Sequence, residues 1–402
     1  MDRRLFILWL TIFVDLIGFT LFIPVVPYFA KEIHASETMV MLSAAVFSLM
    51  VFLCSPIWGS MSDRIGRRPV IMWSVIVSAV SYVVFAHASS LLLLFASRIL
   101  TGIGSGNIAA AQAYVSDITE PQDRAKRIGL IVGASFGLAF AFGPAIGGFI
   151  YSHFGLLTLG YFAVGLCLLN LLGVVFVLPE SLKVKDPTRV INFKPIASTF
   201  ASLRDNRFRD IFLIGFVYIT AFSMMNVSIA FLWEQKYGLS VDHVGLMFSL
   251  VGVCSAIAQG GLVGVFQRLL GEQRMMTYGC VMVGIGLAAI PFVPQTWFVL
   301  FSLIPIILLS VGNACLNPSL VSILSRKADP HELGEVMGQN MGFSSLARIV
   351  GPAMAGPLYM AGRSLPFWVG GAIMIGTLAL VFHFLRTSYT PAVVAPAKAD
   401  QF

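Results

Sequence analysis

Asp15 is the one acidic residue deep within an apolar run of this 402-residue chain, and Arg98 and Arg348 are basic residues in comparable settings. A charged group placed in hydrocarbon is costly unless it is paired or faces water, so each of the three marks a candidate site. Asp15 lies 11 residues past Arg4, about 17 Å along a helix. Arg98 lies eight residues past Ser90, about 12 Å along a helix entering from the other side. In a hydrocarbon layer about 30 Å thick these depths nearly coincide, which predicts an Asp15–Arg98 pair. Burial favours the protonated carboxyl and a neighbouring guanidinium favours the carboxylate, so access of water or substrate can toggle a proton there. A permanent structural ion pair is the plainer alternative. Arg348 has no acidic partner at its depth; it either binds an anionic substrate group or hydrogen-bonds carbonyls. Asn107, Gln112, Asn226, Gln259, Asn313, Asn317, Gln339 and Asn340 are candidates to line a central cavity with Phe and Met, although most intramembrane amides simply bond across helices.

Such groups need elements that hold them inside a bilayer, and the composition supplies them. The chain is 57% hydrophobic and only 11% charged, with mean hydropathy +0.87. Soluble domains are about 45–50% apolar and about 25% charged. An ordinary cytosolic enzyme, a secreted disulfide scaffold and a disordered chain are thereby excluded. Apolar runs near 4–29, 38–61, 69–87, 90–113, 127–152, 156–179, 208–233, 242–266, 274–293, 296–317, 334–360 and 364–386 predict twelve spanning helices. No run alternates as a barrel strand does. The first run, with Asp15 and no A-x-A site, stays as a helix rather than a cleaved signal.

The net charge of +7 is a topological signal. Loops and tails on one side hold 21 of the 26 Lys and Arg, against Lys31, Lys236 and Arg363 on the other. This skew predicts cytoplasmic termini, and its spread over many loops argues against nucleic acid as a partner. Cys54, Cys167, Cys254, Cys280 and Cys315 all fall in spans without metal-ligand spacing, so neither metal nor cofactor is expected. Gly133-Ala-Ser135-Phe-Gly137 matches G-x-S-x-G but follows no strand, and Gly102-x-Gly104-x-Gly106 lies in a span. There is no Walker loop or H-E-x-x-H, so neither an ATP-driven pump nor an enzyme is indicated.

A polar stretch with Pro187 and Pro195 divides the chain into residues 1–179 and 208–386, joined by a linker 180–207 and followed by a disordered tail 387–402. The halves echo each other at an offset of roughly 205–208 residues. Gly59-Ser-Met-Ser-Asp63-Arg64-Ile-Gly66-Arg67-Arg68 is matched by Gly264 to Arg274, and Gly143-Pro144-Ala-Ile-Gly147-Gly148 by Gly351-Pro352-Ala-Met-Ala355-Gly356. Six-helix repeats of this kind are one plan for a transporter.

These stretches resemble the major facilitator superfamily, and within it the twelve-helix drug:proton antiporters. Gly59 to Arg68 resembles the signature between the second and third helices. Gly133-x-x-x-Gly137 with Gly143-Pro144-x-x-Gly147-Gly148 resembles the antiporter motif, and Arg98-x-x-x-Gly102-x-Gly104 and Asp15-x-x-Gly18 with Pro24-x-x-Pro27 resemble the fourth- and first-helix motifs. Leu178-Pro179-Glu180-Ser181 and Ala258-Gln259 are similar to bacterial tetracycline:proton antiporters. Val283 and Ser255 depart from them, standing where those proteins carry an acidic residue and a histidine.

The resemblance implies an all-α fold of two pseudo-symmetric six-helix bundles, and proton-coupled efflux of amphiphilic drug-like molecules by a monomer in the bacterial inner membrane. It also implies that Asp63, Arg64, Arg67 and Arg68, with Glu120 and Arg124, clamp the halves in the outward-open state. Asp63 would cap a neighbouring helix, the eleventh; simple positive-inside topology accounts for the arginines alone. The glycines from Gly133 to Gly148 let helices approach closely, either as a dry seam between halves or as ordinary packing, and Pro144 should bend its helix. An importer, an exporter of one metabolite or siderophore, and a transporter-like sensor are the alternatives.

Overall fold

The computed structural model describes residues 3–105, 107–120, 124–182, 199–329 and 332–387. The expected linker 180–207 lies largely outside the described residues. The tail 387–402 does so except for Thr387, and the side chains of Asn107 and Arg124 also lie outside them.

The chain folds as helices, with no strand among the described residues. They are α1 (Arg3–Leu21), α2 (Val26–Glu32), α3 (Glu37–Ile65), α4 (Arg67–Ala86), α5 (Leu91–Gly104), α6 (Asn107–Asp117) and α7 (Arg124–Val177), then α8 (Asn206–Tyr237), α9 (Val241–Ile257), α10 (Val263–Ala289), α11 (Phe298–Lys327), α12 (Leu333–Ala361) and α13 (Leu365–Thr387). Eight stretches are long and apolar enough to cross a membrane. Two of them, Ile131–Val177 of 47 residues and Val241–Phe292 of 52, are each long enough to cross twice. They reverse at Gly155 (φ 79°) and Gly271 (φ 68°), left-handed positions that glycine adopts without strain. With α5–α6 and the more polar α12, the passes among the described residues number twelve.

Local chemistry marks the ends. Ser36, Ser90 and Asp205 accept from the N–H of Met39, Leu93 and Arg207 and so cap α3, α5 and α8. Gly238 (φ 65°) closes α8. Pro27 in the first turn of α2 fits the break after α1. A π turn at Ala258–Leu262, containing Gly260 and Gly261, joins α9 to α10.

Within each half, helices approach through small residues and polar bonds. Thr11 donates to Asn170 Oδ1 at 2.9 Å and Thr20 to the Ala139 carbonyl at 2.9 Å, tying α1 to both parts of α7. Trp58 donates to the Ile103 carbonyl at 2.6 Å.

Two seams join α1–α7 to α8–α13: α7 against α9, and α3 against α12. Both are tight only at the end of the bundle opposite the termini. A methyl group built on Gly148, Gly245 or Gly252 would run into the backbone of Val241, Pro144 or Phe140, and one on Gly356 into Thr38. Farther toward the termini, Gly137 stands 3.6 Å from Ala256 in ordinary contact, and Gly133, Gly59, Gly260, Gly264 and Gly338 meet nothing within 4 Å. The cleft between the halves is closed at the far end and open toward the termini.

Candidate functional site

Polar groupings occur at mid-depth in each half, on the termini side and at the far end. At mid-depth in the first half, Asp15 of α1 and Arg98 of α5 both act electrostatically on Tyr82 of α4, which lies between them in influence. Arg98 is 9% exposed, and its guanidinium lies 5.0 Å from the centre of the Phe85 ring. The Tyr82 hydroxyl is buried with no hydrogen-bond partner, and its ring stacks on Phe22 at 5.5 Å. Gly18 leaves the space into which Tyr82 fits. Thus both expected partners lie within electrostatic reach of Tyr82, and Asp15 is engaged in contacts of its own.

At a corresponding depth in the second half, Tyr218 of α8 donates to Asn313 Oδ1 of α11, and Arg348 of α12 acts on the same tyrosine. Of the expected cavity amides, Asn313 is the one held in this cluster. Gln339 donates to Glu335 at 3.1 Å along its own helix, and Asn340 Oδ1 lies 4.0 Å from where Gly215 would carry a Cβ. Gln112 and Asn226 are half-buried; Gln259 and Asn317 are exposed. Val283 is buried against Gly312, and Ser255 faces Ser310 at 3.2 Å between their hydroxyl oxygens.

The termini-side cluster is built around Arg67, which is 8% exposed. It donates to Asp117 Oδ2 at 3.2 Å, to Ser62 Oγ at 2.6 Å and to Asp63. Glu180 accepts the backbone N–H groups of Arg67 at 2.9 Å and Arg68 at 3.2 Å. A carboxylate at a helix N-terminus meets both the unpaired N–H groups and the positive end of the dipole. Gly66 (φ 117°) holds the turn, and a side chain there would strike Glu180. Arg68 also donates to the Val175 carbonyl at 2.5 Å, and Arg64 is exposed. Glu120, at the end of the α6 segment, is exposed and engaged in contacts of its own. These bonds of Arg67, Arg68 and Glu180 stay inside the first half; the clamp between halves is expected of the outward-open state, whereas here the termini side is open.

The second half repeats this cluster with the charges exchanged. Gly271 precedes Glu272 as Gly66 precedes Arg67; Glu272 accepts from Ser322 at 2.7 Å and pairs with Arg326. Arg207 adds bridges to Asp205 at 2.8 Å and Glu332 at 3.0 Å. Its hydrogen bonds hold the Asp205 carboxyl below the usual range, and the Asp329 N–H, then Arg207, do so for Glu332.

The fourth grouping seals the far end across the halves. Lys31 pairs with Glu234, Tyr28 donates to the Leu239 carbonyl, Gln235 donates to Glu37 at 2.9 Å and Ser152 to Asp242 at 2.6 Å. The glycine motif is split between roles: Gly143 and Gly147 pack on Thr20 and Leu21 of α1, while Pro144 and Gly148 meet α9. Helix α7 continues through Pro144. The Phe140 carbonyl, whose helical donor proline removes, lies against Gly252, and Ala145 N–H bonds Ser249 Oγ at 3.2 Å.

Sequence reasoning missed Tyr82, Tyr218, Asp117, Glu272 and the role of Glu180. The offset of the halves could have found Glu272, which stands in the register of Arg67.

A helical membrane bundle with a one-sided cleft and charged groups at mid-depth defines an integral membrane transporter. The chain belongs to the Major Facilitator Superfamily, whose profile matches residues 8–352 and 211–401. It is 30% identical to the class C tetracycline resistance protein of Escherichia coli over 388 residues, 93% of this chain and 94% of that protein. It is 29% identical to multidrug resistance protein 2 of Bacillus subtilis (strain 168) over 385 residues, 94% of each chain. Among solved structures it is similar to the human organic anion transporter MFSD10 (TETRAN), with TM-score 0.72 and 26% identity over 94% of this chain and 99% of that one. The nucleoside transporter NupG, at 13% identity, shares the fold with TM-score 0.76, covering 95% of this chain and 99% of its own.

Proposed function

We infer that this protein is a proton-coupled exporter of amphiphilic small molecules, working by alternating access as a monomer in a bacterial inner membrane with cytoplasmic termini. The observation that carries the reading is the one-sided cleft: it is sealed at the far end by Lys31–Glu234 and the glycine seams, and open toward the termini. With 21 of 26 basic side chains on the termini side, that side is cytoplasmic, and the conformation is the one that loads substrate from the cell interior. Proton binding at Asp15 and substrate binding then compete for one state, and this supplies exchange. The relatives bear names that span tetracycline, multidrug resistance and organic anions, which supports small-molecule export without choosing a class.

The test is transport in vesicles under an imposed pH gradient, using a substrate found by screening tolerance in a pump-deficient strain. Wild type should move it in exchange for protons. Asp15→Asn should lose the response to the gradient while retaining substrate counterflow; an unchanged response removes Asp15 from coupling.

A further inference from the structure

Arg348 lies on the arc of α12 that faces the gap between the halves. Around that helix, Ala347 and Gly351 turn toward Ser223 of α8, and Gly356 turns toward Thr38 of α3. At about 100° per residue, Arg348 falls between those two directions. Farther from the termini, Pro352, Ala355 and Tyr359 on the same arc are buried. Nearer the termini the arc is exposed, at Arg348 and at Met341, which is 57% exposed. Arg348 is therefore exposed to the cleft and not to lipid.

Its surroundings supply donors. The Tyr218 O–H is committed to Asn313 Oδ1, and among the described residues neither the Asn313 Nδ2 group nor the Arg348 guanidinium has a hydrogen-bond partner. Among the described residues no carboxylate pairs with Arg348. A guanidinium exposed at a depth where water is scarce, with no carboxylate paired to it among the described residues, is stabilised by an anion brought to it.

We propose that Arg348 and Asn313 bind the anionic group of the transported molecule, so that the substrates are amphiphilic organic anions with a carboxylate or sulfonate on an apolar body. The assignment rests on the transport reading, because the occupant of the corner is the transported molecule. Guanidinium binds carboxylate and sulfonate oxygens with two parallel N–H groups, and an amide N–H adds a third donor. Exposed Met341 offers an adaptable apolar surface to the rest of the molecule on the same arc.

The test compares 1-pyrenebutyrate with its neutral amide, by fluorescence anisotropy on the purified full-length protein in phospholipid-free detergent, so that no lipid phosphate competes. The carboxylate should bind roughly tenfold or more tightly than the amide. Arg348→Gln should remove that preference and leave amide binding unchanged, and Arg348→Lys should restore part of it. Asn313→Asp, which sets a negative charge in the corner without removing the arginine, should weaken the carboxylate alone. Equal binding of the two probes, no binding of the carboxylate, or an equal loss of both in Arg348→Gln overturns the proposal. Charge-selective binding in a protein whose transport ignores the pH gradient would keep this site and remove proton coupling. Charge-blind binding with gradient-driven transport would do the reverse.

Discussion

At the scale of the residue, polar atoms are either fully engaged or conspicuously not. Glu180 is engaged: it takes the N–H groups of Arg67, Arg68, Ser181 and Leu182, the last two at 3.0 and 3.1 Å. Glu180→Gln keeps one acceptor and loses the charge, and should lower stability by about 1–2 kcal/mol, read as a fall in thermal melting temperature in detergent. Tyr82 is the opposite case. Its hydroxyl bonds to nothing, so Tyr82→Phe should leave the melting temperature unchanged or slightly raised. If that hydroxyl serves the Asp15–Arg98 neighbourhood, the same variant should slow transport severalfold in vesicles. The titrating groups can also be separated. Asp205 and Glu332 have depressed values, so their bridges to Arg207 stabilise the fold above the ordinary carboxylate range of about 4 and are lost only as pH falls through the lower folded values. Transport that changes between pH 6 and 8 should therefore survive Asp205→Asn unaltered in profile.

At the scale of the element, the helices were legible because hydrophobic runs bounded by charge are long and regular. The predicted segment 208–233 is α8 at 206–237, and 334–360 is α12 at 333–361. Finer breaks were less legible. The run 90–113 divides into α5 and α6 after Gly104, and Pro144 leaves α7 unbroken because Gly252 and Ser249 of α9 cover the backbone it disturbs. The Asp117–Arg67 and Glu180–Arg67 contacts span 50 and 113 residues, so no local spacing announces them. The seam glycines permit a direct test of which packing matters. Gly252→Val sets a branched side chain against the Phe140 backbone, which cannot move aside, and should destabilise the far-side-closed form by about 1–3 kcal/mol. Gly133→Ala, whose added methyl meets nothing, should be neutral. A membrane-impermeant thiol reagent applied from the termini side reads this shift through Gly264→Cys: labelling should slow in the Gly252→Val background and stay as it was with Gly133→Ala.

At the scale of the whole molecule, the exchanged charges of the two termini-side clusters have a physical consequence. Arg67 with its carboxylates and Glu272 with Arg326 are each neutralised within their own half, so each half carries a rigid, internally satisfied base and the halves can part there without stranding a buried charge. The far end is different, since its polar bonds and its tightest glycines cross between halves. Opening outward must break Lys31–Glu234 and separate Gly356 from Thr38. The Cβ positions at that last contact are 3.1 Å apart, near the span a disulfide bridges after a small adjustment. In a background with Cys54, Cys167, Cys254, Cys280 and Cys315 replaced, Thr38→Cys with Gly356→Cys should cross-link on oxidation and reduce transport to the background rate. Reductant should restore it, since the bond fixes one conformation without removing any group at mid-depth. Binding of 1-pyrenebutyrate from the termini side should persist in the cross-linked protein, because the cleft stays open there. Full transport by the oxidised double variant would mean that the far end does not open during the cycle.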